Sequence, residues 1–184
     1  MELQAILNIP KLRYLAQDES RVGRKTETKK VITATGVKPI AKVQWPREAF
    51  WVYGVVEPFT GWQWTQQYDC LNSSNFQKFL DDLSEVLGDT VVVMQLDRAP
   101  AHRARSLKWP ENIIPIFQPP HCPELNPIER FWQALKALWK GENFGSLTAL
   151  RQRVDQELSQ LTPAQVQSLT SFDFILEALM LAAF

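Results

Sequence analysis

Cysteine is almost missing from this chain. Cys70 and Cys122 are the only two in 184 residues, too few for a disulfide framework and without metal-ligand spacing. A stapled extracellular scaffold and a zinc ribbon are thereby excluded, and the scarcity agrees with a reducing compartment. No run approaches the ~18 consecutive apolar residues of a membrane span. Met1-Glu2-Leu3-Gln4 has neither the basic start nor the apolar core of a signal peptide. A cytoplasmic chain with no membrane partner is expected. Internal repeats, low-complexity tracts and linkers are also lacking, so residues 1–184 read as one domain, long enough to bury most of its unfolded surface.

Net charge is lacking too, with 20 Lys and Arg against 20 Asp and Glu. That counts against a uniformly basic nucleic-acid binder, but the charge is unevenly spread. Between Lys11 and Arg47 ten bases face three acids; between Glu48 and Asp97 eight acids face only Lys78. Clustered bases such as Arg21, Arg24, Lys25, Lys29 and Lys30 are the footprint of phosphate binding, against the ordinary alternative of a solvated loop.

What the chain does contain is an alternation of elements. Leu12–Gln17 reads as a first strand, and Val31–Ala34 as a short extended segment. Phe50–Val56 and Gly61–Tyr68, rich in aromatic and β-branched residues, read as a hairpin around Glu57-Pro58-Phe59-Thr60-Gly61. Asn72–Asn75 offers caps for a helix whose apolar positions Phe76, Phe79, Leu80, Leu83 and Leu87 end at Gly88. Thr90–Leu96 reads as a buried strand returning beside the first, and Ile113–Phe117 as a fifth. Asn126-Pro127 reads as a cap and first position of a helix through Phe131, Leu135 and Leu138. Two further helices, Ser146–Leu158 and Thr162–Leu181, follow. The fold class is α/β, a mixed central sheet of about five strands flanked by helices.

Three acids stand out in this frame. Asp97 ends the apolar run Val91–Leu96, Asp18 follows the first strand, and Glu129 lies in the first turn of a helix. If the two strands are neighbours, Asp18 and Asp97 stand side by side and Glu129 reaches in from the helix. Two carboxylates about 4 Å apart repel by roughly 4 kcal/mol at an effective dielectric near 20, so three together call for a cation. Hard oxygen ligands suit Mg²⁺ or Mn²⁺, and two such ions can serve a phosphodiester displacement. The bland alternative is three unrelated polar residues at element ends.

The motifs around these acids settle the choice at sequence level. Asp18-Glu19-Ser20, Leu96-Asp97-Arg98-Ala99-Pro100-Ala101-His102, and Pro119-Pro120-His121-Cys122-Pro123-Glu124-Leu125-Asn126-Pro127-Ile128-Glu129-Arg130-Phe131-Trp132 resemble the three acidic motifs of mariner-type bacterial insertion-sequence transposases. The last is the most specific, and the resemblance covers about Leu12 to Trp139. It implies a ribonuclease H-like catalytic domain with Asp18, Asp97 and Glu129 as both the catalytic and the metal-binding triad, holding two Mg²⁺ or Mn²⁺ ions. It further implies phosphodiester hydrolysis and strand transfer in cut-and-paste transposition, with transposon ends and a TA target as DNA partners, a homodimer, and association with the nucleoid when on DNA. Only 17 residues precede Asp18. The helix-turn-helix region of full-length relatives is therefore expected to be missing, as in the second half of a split or frameshifted transposase, and to come from a separate product. The other readings are an inactive remnant that folds and binds DNA, and a ribonuclease H-like nuclease with no part in transposition.

Around the triad, Glu19 and Glu124 are rival ligands; strand alternation and a place ahead of the helix cap make them outer-shell or structural. His102 matches a histidine of the family motif and reads either as a phosphate contact or ligand-orienting group, or as a partly exposed helix-start residue. Arg98 and Arg103, with Arg105, are candidates to face the DNA backbone, against simple surface solvation. Most tryptophans, including Trp132, read as core.

Overall fold

A computed structural model describes residues 12–27, 31–40, 42–120, 122–175 and 177. Its centre is β1 (Leu12–Gly23), which hydrogen-bonds to a strand on each side in a five-stranded sheet of order β3-β2-β1-β4-β5. The hairpin partners β2 (Ala49–Val56) and β3 (Gln63–Tyr68) run antiparallel, whereas β4 (Val91–Leu96) and β5 (Ile113–Phe117) run parallel to β1. Helix α1 (Ser73–Leu87) makes the crossover that parallel pairing requires, capped by the Asn72 side chain at one end and closed by Gly88 at the other.

Strand alternation separates two cores. Leu15, Tyr53, Val55, Val92, Met94 and Leu96 pack on one face against Phe76, Phe79, Leu80 and Leu83 of α1. Ala16, Val22, Phe50, Val52 and Val56 pack on the other against α2 (Ile128–Ala137), α3 (Leu147–Gln160) and α4 (Pro163–Thr170). The result is a sheet between two helical layers.

The sequence expectation differs from this structure in three places. β1 runs six residues past Gln17, because its polar half, from Asp18↔Gly54 to Gly23↔Ala49, is held by β2 after pairing with β4 has stopped at Ala16↔Gln95. Asp18 is therefore inside a strand and not at its end. Residues 31–34 form no strand; Ile32 is fully exposed and finds no sheet edge. The last expected helix breaks after Thr170 and resumes at residues 173–175 and 177, while residues 176 and 178–181 of its expected span lie outside the described residues. Among the described residues no helix is long and apolar enough to cross a membrane.

Two arginines tie β1 to its surroundings. Arg13 makes a two-pronged pair with Glu57 at 2.9 Å for both bonds, tying β1 to the β2–β3 turn, and Glu57 is only 4% exposed. Arg24 pairs with Glu48 and donates to the Phe144 and Gly145 carbonyls, tying the end of β1 to the loop before α3. The same turn is pinned at Gly61, whose φ of 72° is left-handed. A Cβ there would sit 1.8 Å from the Pro163 carbonyl oxygen at the start of α4. Gly61→Ala is therefore expected to cost at least the roughly 1–3 kcal/mol of an overpacked site, read as a lower midpoint in urea with an unchanged slope.

Candidate active site

The site starts from strand register. The parallel pairing of β1 with β4 ends at Ala16↔Gln95, and two more residues in the same register bring Asp18 beside Asp97. Neighbouring strands lie about 4.8 Å apart, so the two acids meet where the strands part. Across the other edge, Asp18 faces Gly54 of β2. A Cβ at Gly54 would come within 2.7 Å of the Trp132 ring; the missing side chain lets the indole lie there and donate from Nε1 to Asp18 Oδ2 at 3.1 Å. Glu129 stands in the first turn of α2, where an acid is favoured by the helix dipole. Asn126 aims that helix: its Nδ2 donates to the Gln17 carbonyl at 2.9 Å, its carbonyl accepts the Glu129 amide, and its Oδ1 accepts the Ile128 amide.

Asp18, Asp97 and Glu129 thus border one cleft of about 570 Å³, together with Arg98, Arg103, Gln118 and Asn126. Among the described residues no three acidic, histidine or cysteine side chains form a ready-made ion cage. Their electrostatics nevertheless couple. Burial raises the Asp18 carboxyl well above the usual range, and the charges of Glu19, Glu129 and Asp97 raise it further. Burial also raises Glu129; Lys136 pulls it back and Asp97 pushes it up. Asp97 goes the other way, held down chiefly by its hydrogen bond from His102 and, against burial, by the Ala99 amide. Burial alone would depress His102, but bonds to Asp97 and Glu19 outweigh it and hold the imidazolium up to about 10. Three hard carboxylates, Asp18 with no cationic neighbour among the described residues and Glu129 only partly relieved by Lys136, are a donor set suited to a divalent cation.

The other sequence candidates divide. Arg98 and Arg103 are exposed and line the cleft, and Arg98 Nε is anchored on the Gln118 carbonyl at 3.1 Å. His102 is corrected as a DNA contact and as a partly exposed helix-start residue: it is 1% exposed with both ring nitrogens bonded, one of them to Asp97. Arg24 is corrected as well, because its guanidinium is used up in the links described above. Arg21 and Lys25 border a separate hollow with Trp45 and Lys140, and Lys25 sits 4.6 Å from the centre of the Trp45 ring. Lys29 and Lys30 lie outside the described residues. Glu19 points away from the cleft to His102, and Glu124 is exposed on the 3-10 turn Pro123–Leu125. The residues that sequence reading passed over are Gly54 and Trp132. A lone glycine inside a β-branched, aromatic strand was the available signal of a close approach.

A carboxyl raised in the fold above its unfolded value of 3.8 favours the folded state in acid and costs stability once pH passes the folded value. In a chelator, Asp18→Asn should therefore melt above wild type at pH 7–8, on a scale of roughly 2–4 °C per kcal/mol for a chain this size. The gap should close as pH falls towards 4. A lower melting point for Asp18→Asn at neutral pH would contradict the assignment of unrelieved charge to this cleft.

Comparison with known proteins places this arrangement. An uncharacterized protein of Sinorhizobium fredii (strain NBRC 101917 / NGR234), y4pE/y4sA, is 32% identical over 90 residues, 48% of this chain and 67% of the relative. Among solved structures, the Mos1 transposase paired-end complex with left transposon end superposes with a TM-score of 0.71 at 14% identity, over 93% of this chain and 55% of that one. The Mos1 mariner paired end complex with Mn gives 0.68 at 14% identity, over 94% and 56%. The chain spans little more than half the length of those transposase chains, and the sheet and its helices are the ribonuclease H-like fold they share. A family model described as DDE superfamily endonuclease matches residues 13–151. Running from the second residue of β1 into α3, that match takes in all three acids and the elements that hold them, and the chain belongs to the DDE superfamily endonuclease family.

Proposed function

We propose that this chain is the catalytic domain of a mariner-type DNA transposase, which hydrolyses phosphodiester bonds at element ends and joins the freed 3′ ends to target DNA. The observation that carries the reading is the opening of Asp18, Asp97 and Glu129, from two adjacent strands and a helix, onto one cleft. Mos1 transposase, which shares the fold, is seen with a transposon end and with Mn. Transposon-end DNA, a TA target and two Mg²⁺ or Mn²⁺ ions are the corresponding partners here. A homodimer and a separately supplied helix-turn-helix product complete the proposal.

Asp18, Asp97 and Glu129 would hold the ions, which when bound assist the attacking oxygen and stabilise the leaving one. The chain's own residues do the rest. Trp132 fixes one oxygen of Asp18. Arg98 and Arg103 supply positive charge at the rim, where a phosphate must approach three carboxylates. In the first step a water oxygen forms a bond to phosphorus as the bond to O3′ breaks, and the departing oxygen takes a proton to become a 3′-hydroxyl. In the second, that hydroxyl loses its proton and attacks a target phosphodiester, displacing the target's own O3′. No side chain is covalently modified.

The test uses the full 184-residue chain with supercoiled plasmid and a labelled duplex ending in a 3′-hydroxyl. Wild type should give Mn²⁺-dependent nicks and label joined to plasmid, and Asp97→Asn and Glu129→Gln should lose both. Nicks without joined label would favour the nuclease reading. No product, together with no rise in melting temperature on adding Mn²⁺, would favour the remnant, since saturation at 100 times a dissociation constant adds about 2.7 kcal/mol.

A further inference from the structure

We propose that His102 is a positioning residue for Asp97 and that Glu19 is the anchor that holds His102 in place, so that one oxygen of Asp97 is fixed and the other is presented to the cleft. The inference rests on the reading of Asp97 as a cation-holding acid and assigns residues outside the triad.

The geometry is closed on the protein side. His102 Nδ1 lies 2.7 Å from Asp97 Oδ1 and Nε2 lies 2.9 Å from Glu19 Oε1. The His102 side chain is fully buried and that of Glu19 only 4% exposed. The Phe76 ring lies against the imidazole with centroids 4.4 Å apart. Asp97 Oδ1 also accepts the Ala99 amide at 2.8 Å, and the His102 amide closes the turn onto the Ala99 carbonyl at 3.0 Å. Oδ1 therefore has two donors, while Oδ2 has none among the described residues and the Asp97 side chain is 44% exposed. An imidazole swinging free would leave Asp97 Oδ1 held by the Ala99 amide alone; Glu19, itself held by Gln17 Nε2 at 2.9 Å, prevents that. Both strand faces are used. Asp18 points into the cleft and its neighbour Glu19 points behind it, so consecutive residues of β1 serve one acid directly and the other through His102. Ligand-orienting partners of this kind are worth roughly 10–100-fold in metal affinity.

Two substitutions separate the two bonds. Asn at 102 can place an amide nitrogen near Nδ1 and keep the donor to Asp97; Gln can place one near Nε2 and reach only Glu19. The measurement is Mn²⁺ binding to the full chain, followed by electron paramagnetic resonance of the free ion, with melting temperature recorded alongside. His102→Gln is expected to weaken Mn²⁺ binding roughly 10–100-fold, and His102→Asn to recover most of it at similar thermal stability. Wild-type affinity in both variants, or equal loss in both, overturns the proposal. If His102→Gln does not fold, Glu19→Gln decides: a severalfold weakening supports the anchor, and wild-type affinity overturns it. Absence of Mn²⁺ binding by wild type, or equal binding by wild type and Asp97→Asn, overturns the site reading beneath it.

Discussion

Repulsion between carboxylates is the constraint around which this chain is organised. Parallel strands β1 and β4 deliver Asp18 and Asp97 side by side, and α2 brings Glu129 to the same cleft. Left alone, such a group would protonate or swing apart. The structure answers differently at each acid. Asp97 is relieved by a cationic neighbour and an amide, and Glu129 in part by Lys136, whereas Asp18 is raised by burial and by the surrounding acids with no cationic neighbour among the described residues to offset them. Burial first and repulsion second make that charge costly, and a divalent cation would offset both on binding, so the same feature that costs stability supplies affinity.

Rigid elements make that arrangement sustainable. Each acid sits on or beside regular structure, and each is approached from a different layer: Asp18 by Trp132 of α2, Asp97 by a histidine packed on Phe76 of α1. Asn126 fastens the start of α2 to β1 through the Gln17 carbonyl, so helix and strand cannot shift independently. Gly54 belongs to the same logic. Its missing side chain is filled by an indole whose polar edge is spent on Asp18, which turns a weak point of β2 into a contact between sheet and helix.

Much of this was legible in the sequence because local signals and global fold agree. The Asn72 cap, the apolar spacing of α1 and its closing Gly88, the hairpin, and the run before Asp97 read correctly, whereas the cap expected at Asn126 falls one residue later, at Pro127. What failed were features decided at long range. Asp18-Glu19-Ser20-Arg21 carries little strand signal of its own, and only pairing with β2 extends β1 through it. His102 is polar and follows a proline-containing turn, so burial is visible only when Glu19, 83 residues away, is brought behind it. Arg24 looked like one base among many until Glu48 and the Phe144 carbonyl were found around it. A charge pattern states how many bases a segment has; it does not state which are already engaged.

That distinction changes how the chain's charge should be understood. With no net charge overall, any attraction for phosphate has to be local. The acids Asp81, Asp82 and Glu85 lie on α1, in the layer opposite the one that supplies Glu129, so they do not crowd the cleft from the α2 side. At the cleft itself Arg98 and Arg103 are the described bases, and they stand within a residue or a turn of Asp97 and His102. The loop after β4 thus gathers, in seven residues, an acid of the cleft, the buried histidine bonded to it and two exposed arginines at the rim. Because those arginines are exposed, their attraction for a phosphate is screened over about 8 Å at physiological salt, whereas the His102 contacts, being buried, are not. Salt should therefore weaken phosphate attraction at the rim while leaving the geometry of the acids intact, which separates the two within a single loop.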